Sequence, residues 1–282
     1  MRVHVLIPVF NRLPMTKVVL GCLRAQRAVA LNIVVIDDGS SDGTADFLAT
    51  EEGVTALRGD GSLWWGGAID LGLRHVLSSA APDDFVLLVN NDTEFADDFV
   101  AQLVAASERN GRAAVGSIIR HAEEPDRVLS LGPQVDYWSF RVRDLLDTDE
   151  GRAAVASGDD MDMPMLSGRG TIYPVEAFRK AGRMRPRLLP HYFADYELAD
   201  RVRRAGIPIK VTCHAAVLSL PEWGNEVRHM SRWQQLFSRR SASNLFFTWA
   251  FWSLVGTPLQ RLSAIPRWLA QRAKRLILAP FW

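Results

Sequence analysis

Cysteine is scarce in this 282-residue chain: Cys22 and Cys213 stand far apart and outside any CxxC spacing. A disulfide framework and a cysteine-based zinc site are therefore not expected, and a reduced, cytoplasmic setting fits best. Long apolar runs are also missing. The longest candidate, LFFTWAFWSLV (245–255), has 11 residues, against the ~20 that a transmembrane helix needs. The opening MRVHVLIPVF lacks the extended apolar region of a signal peptide and reads as a first strand. No GxGxxG follows that strand, so the dinucleotide-binding fingerprint is absent. The segment PVFNRLPMTK holds no glycine, which argues against the glycine-rich triphosphate loop of a nucleotidyltransferase.

Acid is missing from one end. After Glu226 the chain carries Arg228, Arg232, Arg239, Arg240, Arg261, Arg267, Arg272, Lys274 and Arg275 and no Asp or Glu. That segment is +9; the whole chain is +1, so residues 1–226 carry −8. Such a split predicts that the C-terminal end meets an anionic surface. Nucleic acid is disfavoured as that surface, because the acidic body would repel it.

What is present is a core-forming composition, 48% hydrophobic, with strand and helix patterns alternating. VHVLIPVF (3–10), NIVVIDDGS (32–40), the weaker GVTALRG (53–59) and DFVLLVN (84–90) read as strands. Helical patterns lie between them, near 15–26, 44–50 and 67–79, and a further one spans 96–110 before Gly111. This order predicts βαβ units and a mostly parallel sheet. AAVGSII (113–119) is another expected strand, and 130–165 is an excursion with little periodicity. GTIYPVEAFRKAG (170–182) reads as strand, turn and helix. FADYELADRVRRAG (193–206) is a helix stopped by Gly206, IPIKVTCHAAVLSL (207–220) a final strand region, and 227–282 a basic helical tail. Two units are expected, 1–226 and 227–282.

The chemistry sits at strand ends. In an open α/β sheet ligands bind at the carboxyl ends of parallel strands. There the second strand offers Asp37 and Asp38, whose carboxylates accept hydrogen bonds from a base N–H or ribose hydroxyls; a plain Asp-Asp-Gly turn is the competing reading. FVLLVNNDTEF (85–95) runs from buried strand straight into Asn90, Asn91 and Asp92. Asp92 is a hard oxygen ligand suited to Mg²⁺ or Mn²⁺, with substrate phosphates completing the coordination. Trp64 and Trp65 precede Gly66 and Gly67, an arrangement that either stacks on a donor sugar while backbone approaches it or packs beneath the loop. Trp223, in LPEWGN, lines an acceptor cleft or plugs the domain from below.

IPVFNR, VVIDDGSSDGT, LVNNDTEF and HYFADYELADRVRRAG, in this order, resemble the motifs of family 2 inverting glycosyltransferases of the GT-A fold. GDGSLWWGGAIDLGL (59–73) is similar to the rhamnosyltransferase-like bacterial branch. The resemblance covers roughly residues 1–220. It implies a Rossmann-like α/β fold with a C-terminal helical appendage, and transfer of a sugar from a UDP- or dTDP-sugar donor to a hydroxyl of a glycan or lipid-linked acceptor. It implies that Pro8, Val9, Phe10, Asn11 and Arg12 wrap the nucleoside, that Asp38 bonds the base beside Asp37, and that Asn91 lies by the donor sugar. Asn90-Asn91-Asp92 takes the place of the Asp-x-Asp motif, leaving Asp92 as the metal ligand. Asp195 matches the general base, Glu197 orients the acceptor, and Arg169, in SGRGT, meets an anionic acceptor. Two positions depart from the pattern: Asn90 replaces an acid, and Ala194 replaces the residue before the base. The late metal-binding histidine has no clear match, with His214 early and His229 late. A nucleotide-sugar-binding protein without turnover is the alternative.

The tail PLQRLSAIPRWLAQRAKRLILAPFW (258–282) places Leu262, Ile265, Leu269, Ala273 and Leu276 at helical spacing, with Trp268, Phe281 and Trp282 as aromatic anchors. This predicts an interfacial helix on anionic lipid, holding a polysaccharide-biosynthesis enzyme as a peripheral protein at the inner face of the cell membrane. A helix docked on the catalytic domain, or on a partner chain in a homo-oligomer, is the competing reading.

Overall fold

The computed structural model describes residues 1–219, 230–239 and 241–278. The contiguous apolar runs become the centre of one sheet. β1 (Val3–Val9) lies parallel between β2 (Leu31–Asp37) and β4 (Phe85–Leu88), and β3 (Val54–Arg58) adds to β2 at the edge. The edge position explains the weaker pattern of β3, which is partly exposed while β1 and β4 are buried.

Beyond β4 come β10 (Thr171–Pro174), β5 (Ala114–His121), β11 (Ile209–Ser219) and the short β9 (Met161–Asp162), with β6 (Val128–Ser130) also on β5. β1–β5 and β11 run one way; β6, β9 and β10 run against them. The expected mostly parallel α/β sheet is present, in nine strands.

Helices cover both faces. Val3, Val5, Ile7 and Val9 pack in a cluster with α1 (Leu13–Arg24) and α4 (Phe99–Arg109). Leu6 points the other way, into a cluster shared with α3 (Trp64–Leu77), α6 (Val175–Ala181) and α7 (Ala194–Arg204). This is the period-two alternation of a strand buried on both sides. The short α2 (Thr44–Ala49) follows β2.

Three expectations change. The aperiodic stretch 130–165 is ordered as a hairpin of β7 (Pro133–Asp136) and β8 (Arg141–Asp144), a 3₁₀ turn at 145–147, α5 (Asp149–Ser157) and β9. Strands of two to four residues are too short to show a period. Helix α3 starts at Trp64 rather than 67, so Gly66 and Gly67 lie in its first turn.

The tail is the third. It contains α8 (Arg232–Phe237), α9 (Leu245–Leu254) and α10 (Pro258–Leu278), and α9 and the first half of α10 are docked on the sheet domain. Phe247, Phe251, Trp252, Ala264 and Trp268 join the buried cluster that contains Leu6 and Leu198. Trp268, expected as a membrane anchor, is buried because its face of α10 is the docking face. Buried Asp200 of α7 ties the junction: it pairs with Arg203 and Arg204, both at 2.8 Å, and accepts from the Gly256 N–H at 3.3 Å. Tyr137 Oη donates to the same carboxylate at 3.4 Å, and burial with the Asp200 charge pushes its phenol up to about 12. Arg267 of α10 reaches the Tyr137 and Trp138 carbonyls at 3.1 and 3.0 Å and stacks its guanidinium over the Trp138 and Phe140 rings. The expected division near residue 226 falls outside the described residues, as do Trp223, His229, Phe281 and Trp282. Among the described residues no helix is long and apolar enough to cross a membrane.

Candidate active site

The carboxyl ends of β1, β2 and β4 meet at one edge. After β1, Asn11 and Arg12 both take left-handed backbone angles, φ 58° and 65°. Such strain in non-glycine residues persists only where the surroundings hold it. Here the Asn11 N–H donates to Ser40 Oγ at 2.7 Å, the Ser41 N–H donates to Asn11 Oδ1 at 3.0 Å, and the Leu13 N–H donates to Asp42 Oδ2 at 2.7 Å. The loops after β1 and β2 thus form one cradle. Pro8 and Val9 pair with Ile36 and Asp37 within the sheet, and Phe10 stands exposed at the cradle's lip.

The two adjacent acids of β2 have separate tasks. Asp38, expected to bond the base, has both oxygens held by backbone: Gly61 and Leu63 N–H on Oδ1, at 2.9 and 3.2 Å, and Trp64 N–H on Oδ2 at 3.0 Å. It organises the turn that starts α3, where Trp64 itself is left-handed at φ 57°. A Cβ on Gly59 would lie 2.5 Å from Asp38 Oδ1, so this turn needs glycine there. Asp37 accepts the Ser40 N–H on Oδ1 at 2.9 Å, while its buried Oδ2 has no partner among the described residues. Of the two acids, Asp37 is the one that keeps a carboxylate oxygen without a partner among the described residues.

Asn90, Asn91 and Asp92 also divide. Asn90 Oδ1 accepts the Trp65 indole N–H at 2.8 Å. Asn91, expected beside a donor sugar, is buried and turned toward α1, where its Nδ2 faces Thr16 Oγ1 at 3.4 Å. Asp92 is buried, with Oδ2 facing Arg12 Nη1 at 3.2 Å and Oδ1 unpartnered among the described residues. An orphaned buried carboxylate oxygen fits one ligand position of a divalent cation. Among the described residues no group of three His, Cys, Asp or Glu side chains forms a metal site. His214 is exposed on β11 and is not part of this edge.

A cavity of about 780 Å³ opens beside Asn90, lined also by Trp65, Arg143, Arg169, Tyr192 and Asp195. Asp195 sits in the first turn of α7, just after Phe193, which is left-handed at φ 67°. The Gly168 N–H donates to Asp195 Oδ2 at 2.8 Å and the Tyr196 N–H to Oδ1 at 2.9 Å. The carboxylate keeps an edge on the cavity but is packed round by protein, and that desolvation pushes its pKa up to about 6 against the opposing pull of those N–H groups and Arg169. Burial raises the Tyr196 phenol as well, and the Asp195 charge adds to it. Trp65 packs closely against the SGRGT loop: a Cβ on Gly168 would come 2.2 Å from its ring.

Other expected residues fall elsewhere. Glu197 does not reach the cavity; it is buried between Arg201, at 2.9 Å, and Arg185, at 3.2 Å. Two helical positions from Asp195 to Glu197 turn the side chain by roughly 200°, toward the core side of α7. Gly66 and Gly67 face protein rather than ligand, since a Cβ on Gly66 would meet the Leu189 carbonyl at 2.8 Å and one on Gly67 the Leu63 side chain at 3.2 Å. Two cavity residues were not anticipated, Arg143 on the β7–β8 hairpin and Tyr192, nor was the buried Phe251 ring of α9 that stacks on the cavity residue Phe193 at 4.6 Å and 18°. The aperiodic 130–165 stretch carried no signal for Arg143, and a stacking partner distant in sequence carries none in one sequence.

Comparison of the sequence with curated proteins finds no match. Among solved structures, the mannosyltransferase PcManGT from Pyrobaculum calidifontis, in complex with GDP-Man and Mn²⁺, superposes with a TM-score of 0.62 at 18% identity, covering 99% of this chain and 76% of that one. GalNAc-T7 with UDP, GalNAc and Mn²⁺ gives 0.60 at 15% identity, over 78% of this chain and 44% of that one. S. aureus TarS 1–349 gives 0.55 at 15%, over 79% and 61%. The present chain thus spans less than two thirds of the latter two. At these identities the likeness is one of fold, the GT-A arrangement of a mixed α/β sheet. The model of glycosyl transferase family 2 matches residues 4–156, more than half of the chain, from β1 through α5. With the strand-end acids of Asp37 and Asp92 inside that match, the chain belongs to glycosyl transferase family 2.

Proposed function

We propose that the protein is a metal-dependent inverting glycosyltransferase. It takes a sugar from a nucleoside-diphosphate donor, UDP- or dTDP-linked, to a hydroxyl of a glycan or lipid-linked acceptor in polysaccharide biosynthesis. One observation carries this: Asp195, a carboxylate raised to about 6, opens on the same cavity as Asn90, two residues from the buried, half-partnered Asp92. A single displacement at an anomeric carbon requires a base for the incoming hydroxyl and positive charge for the leaving diphosphate, which an Asp92-bound cation would supply.

The donor nucleoside lies in the cradle of Asn11 and Arg12, with Asp37 Oδ2 accepting from base or ribose. Asp92 Oδ1 would hold Mn²⁺ or Mg²⁺, which would supply positive charge for the diphosphate. Arg12, facing the same carboxylate, adds a guanidinium at that point. Trp65 presents its face to the sugar and is held in plane by Asn90. Asp195 accepts the proton of the incoming hydroxyl, and attack from its side of the ring inverts the anomeric carbon. Arg169 and Arg143 bring positive charge to the acceptor end of the cavity. Two solved relatives in fold contain Mn²⁺ with a nucleotide or nucleotide sugar, which supports the metal. Placement in the rhamnosyltransferase-like branch rests on residues 59–73 alone. We place the enzyme in the cytoplasm, peripheral to the membrane where lipid-linked acceptors lie.

Calorimetric titration with UDP, dTDP, GDP and CMP, with and without Mn²⁺, tests the donor site. Binding of UDP or dTDP that needs Mn²⁺ and disappears in Asp92→Ala is the expected result. Failure of every diphosphate to bind would remove the donor and with it this function. Tight binding with no turnover on any acceptor would favour a nucleotide-sugar-binding protein instead.

A further inference from the structure

Docking of α10 leaves a puzzle. Its buried side is Ala264 and Trp268, yet its most apolar stripe faces solvent: Leu262 is 81% exposed, Leu259 66% and Leu269 55%. At roughly 100° per residue these leucines and exposed Pro266 share one face, opposite the docked one. On α8, Trp233 and Phe237 stack on each other at 5.7 Å while remaining 73% and 60% exposed. Of the eleven large apolar residues exposed among the described residues, six lie beyond residue 229. A monomeric surface does not concentrate such residues without a partner for them.

The charge pattern identifies the partner. No acid follows Glu226, nine basic residues do, and Arg239, close to Phe237 in sequence, is exposed. Pairing of two copies through this face would bring together two segments that each carry nine basic residues and no acid in sequence. An anionic bilayer satisfies both demands at once: acyl chains accept the leucines and aromatics, and headgroup phosphates accept the arginines. We propose that the outer ridge of α10, Leu259, Leu262 and Leu269, with the Trp233–Phe237 pair of α8, seats the protein on an anionic lipid surface. This deepens the lipid-linked acceptor reading and depends on it only for the acceptor's identity. The helix is therefore two-sided: one face holds the catalytic domain, and the other holds the membrane.

Co-sedimentation of the full-length protein with vesicles tests it, using phosphatidylcholine alone and with added phosphatidylglycerol. Wild type is expected to partition onto the phosphatidylglycerol vesicles and to be released by high salt. Leu262→Glu with Leu269→Glu, and the milder Leu262→Asn, should lower that partition, the former by ten-fold or more, with circular dichroism and UDP binding unchanged. Equal partition of wild type and the double variant, or no partition of wild type, overturns the proposal. So does a dimer in sedimentation velocity that the double variant dissolves, which would make a second copy the occupant. Vesicle binding without nucleotide binding would sink the glycosyltransferase reading and leave this surface standing.

Discussion

The sheet edge and the cavity beside it each hold carboxylates, and they treat them in opposite ways. At the edge, Asp37 and Asp92 are buried with one oxygen partnered and the other without a partner among the described residues. In the cavity, Asp195 has both oxygens held by backbone N–H groups and is nonetheless raised to about 6. The first arrangement awaits a ligand that brings hydrogen-bond donors or positive charge. The second keeps a proton acceptor oriented and moderately basic. One acid type thus serves two roles, because hydrogen-bond vacancy governs one and desolvation the other.

The strongest way to break this contrast is Asp195→Asn. It should lower turnover by about 10²–10⁴-fold, the usual contribution of a general base, while calorimetry shows nucleotide and Mn²⁺ binding intact. In the wild type, kcat should rise with pH through about 6 and level above it, because the working form is the deprotonated one. A rate independent of pH across that range would remove Asp195 as the base. Asp92→Ala should act on the other side, costing about 10²–10³-fold or more in kcat/KM as a lost charge stabiliser and abolishing the Mn²⁺-dependent binding of nucleotide.

Smaller changes sharpen the comparison. Gly168→Ala would put a methyl 2.2 Å from the Trp65 ring, so Trp65 must leave Asn90 and the loop must shift its N–H from Asp195. Misplacement on that scale costs up to about 10²-fold, and Trp65 fluorescence should report the movement. Phe251→Leu should be mildest: about 1 kcal/mol of stability and a several-fold loss in kcat with little change in KM. The reason is that Phe251 touches Phe193, which precedes the base, and not substrate. Phe251→Tyr should restore the rate, since the stack needs a ring; a rate untouched by either variant would make the contact merely structural.

Legibility followed the length and contiguity of the signal. β1, β2 and β4 were readable because each is an unbroken apolar run ending in polar residues, and Asp92 could be singled out at one of those ends and Asp195 in the motif that opens α7. The roles of neighbours were not readable. Asp37 and Asp38 look alike in sequence; only the turn at Gly61–Trp64, folded back over Asp38, made one structural and left the other open. Glu197, two residues from the base, is an ion-paired core acid for the same reason of direction.

The C-terminal helix shows the limit in its plainest form. Periodicity identified the stripe of Leu262 and Leu269 and the arginines beside it, but not which face would meet protein. The sheet domain took the face bearing Trp268, where a large ring fills a pocket lined by α9, and left the leucines outside. By itself the sequence determined the long elements, the sheet edge at which the strand-end acids gather and the sign of each region's charge, because these depend on local pattern and composition. Tertiary structure alone decided which of two adjacent acids is open, which residues wall the cavity and which side of α10 is buried, because burial and hydrogen-bond partnership are set by contacts between segments far apart in the chain.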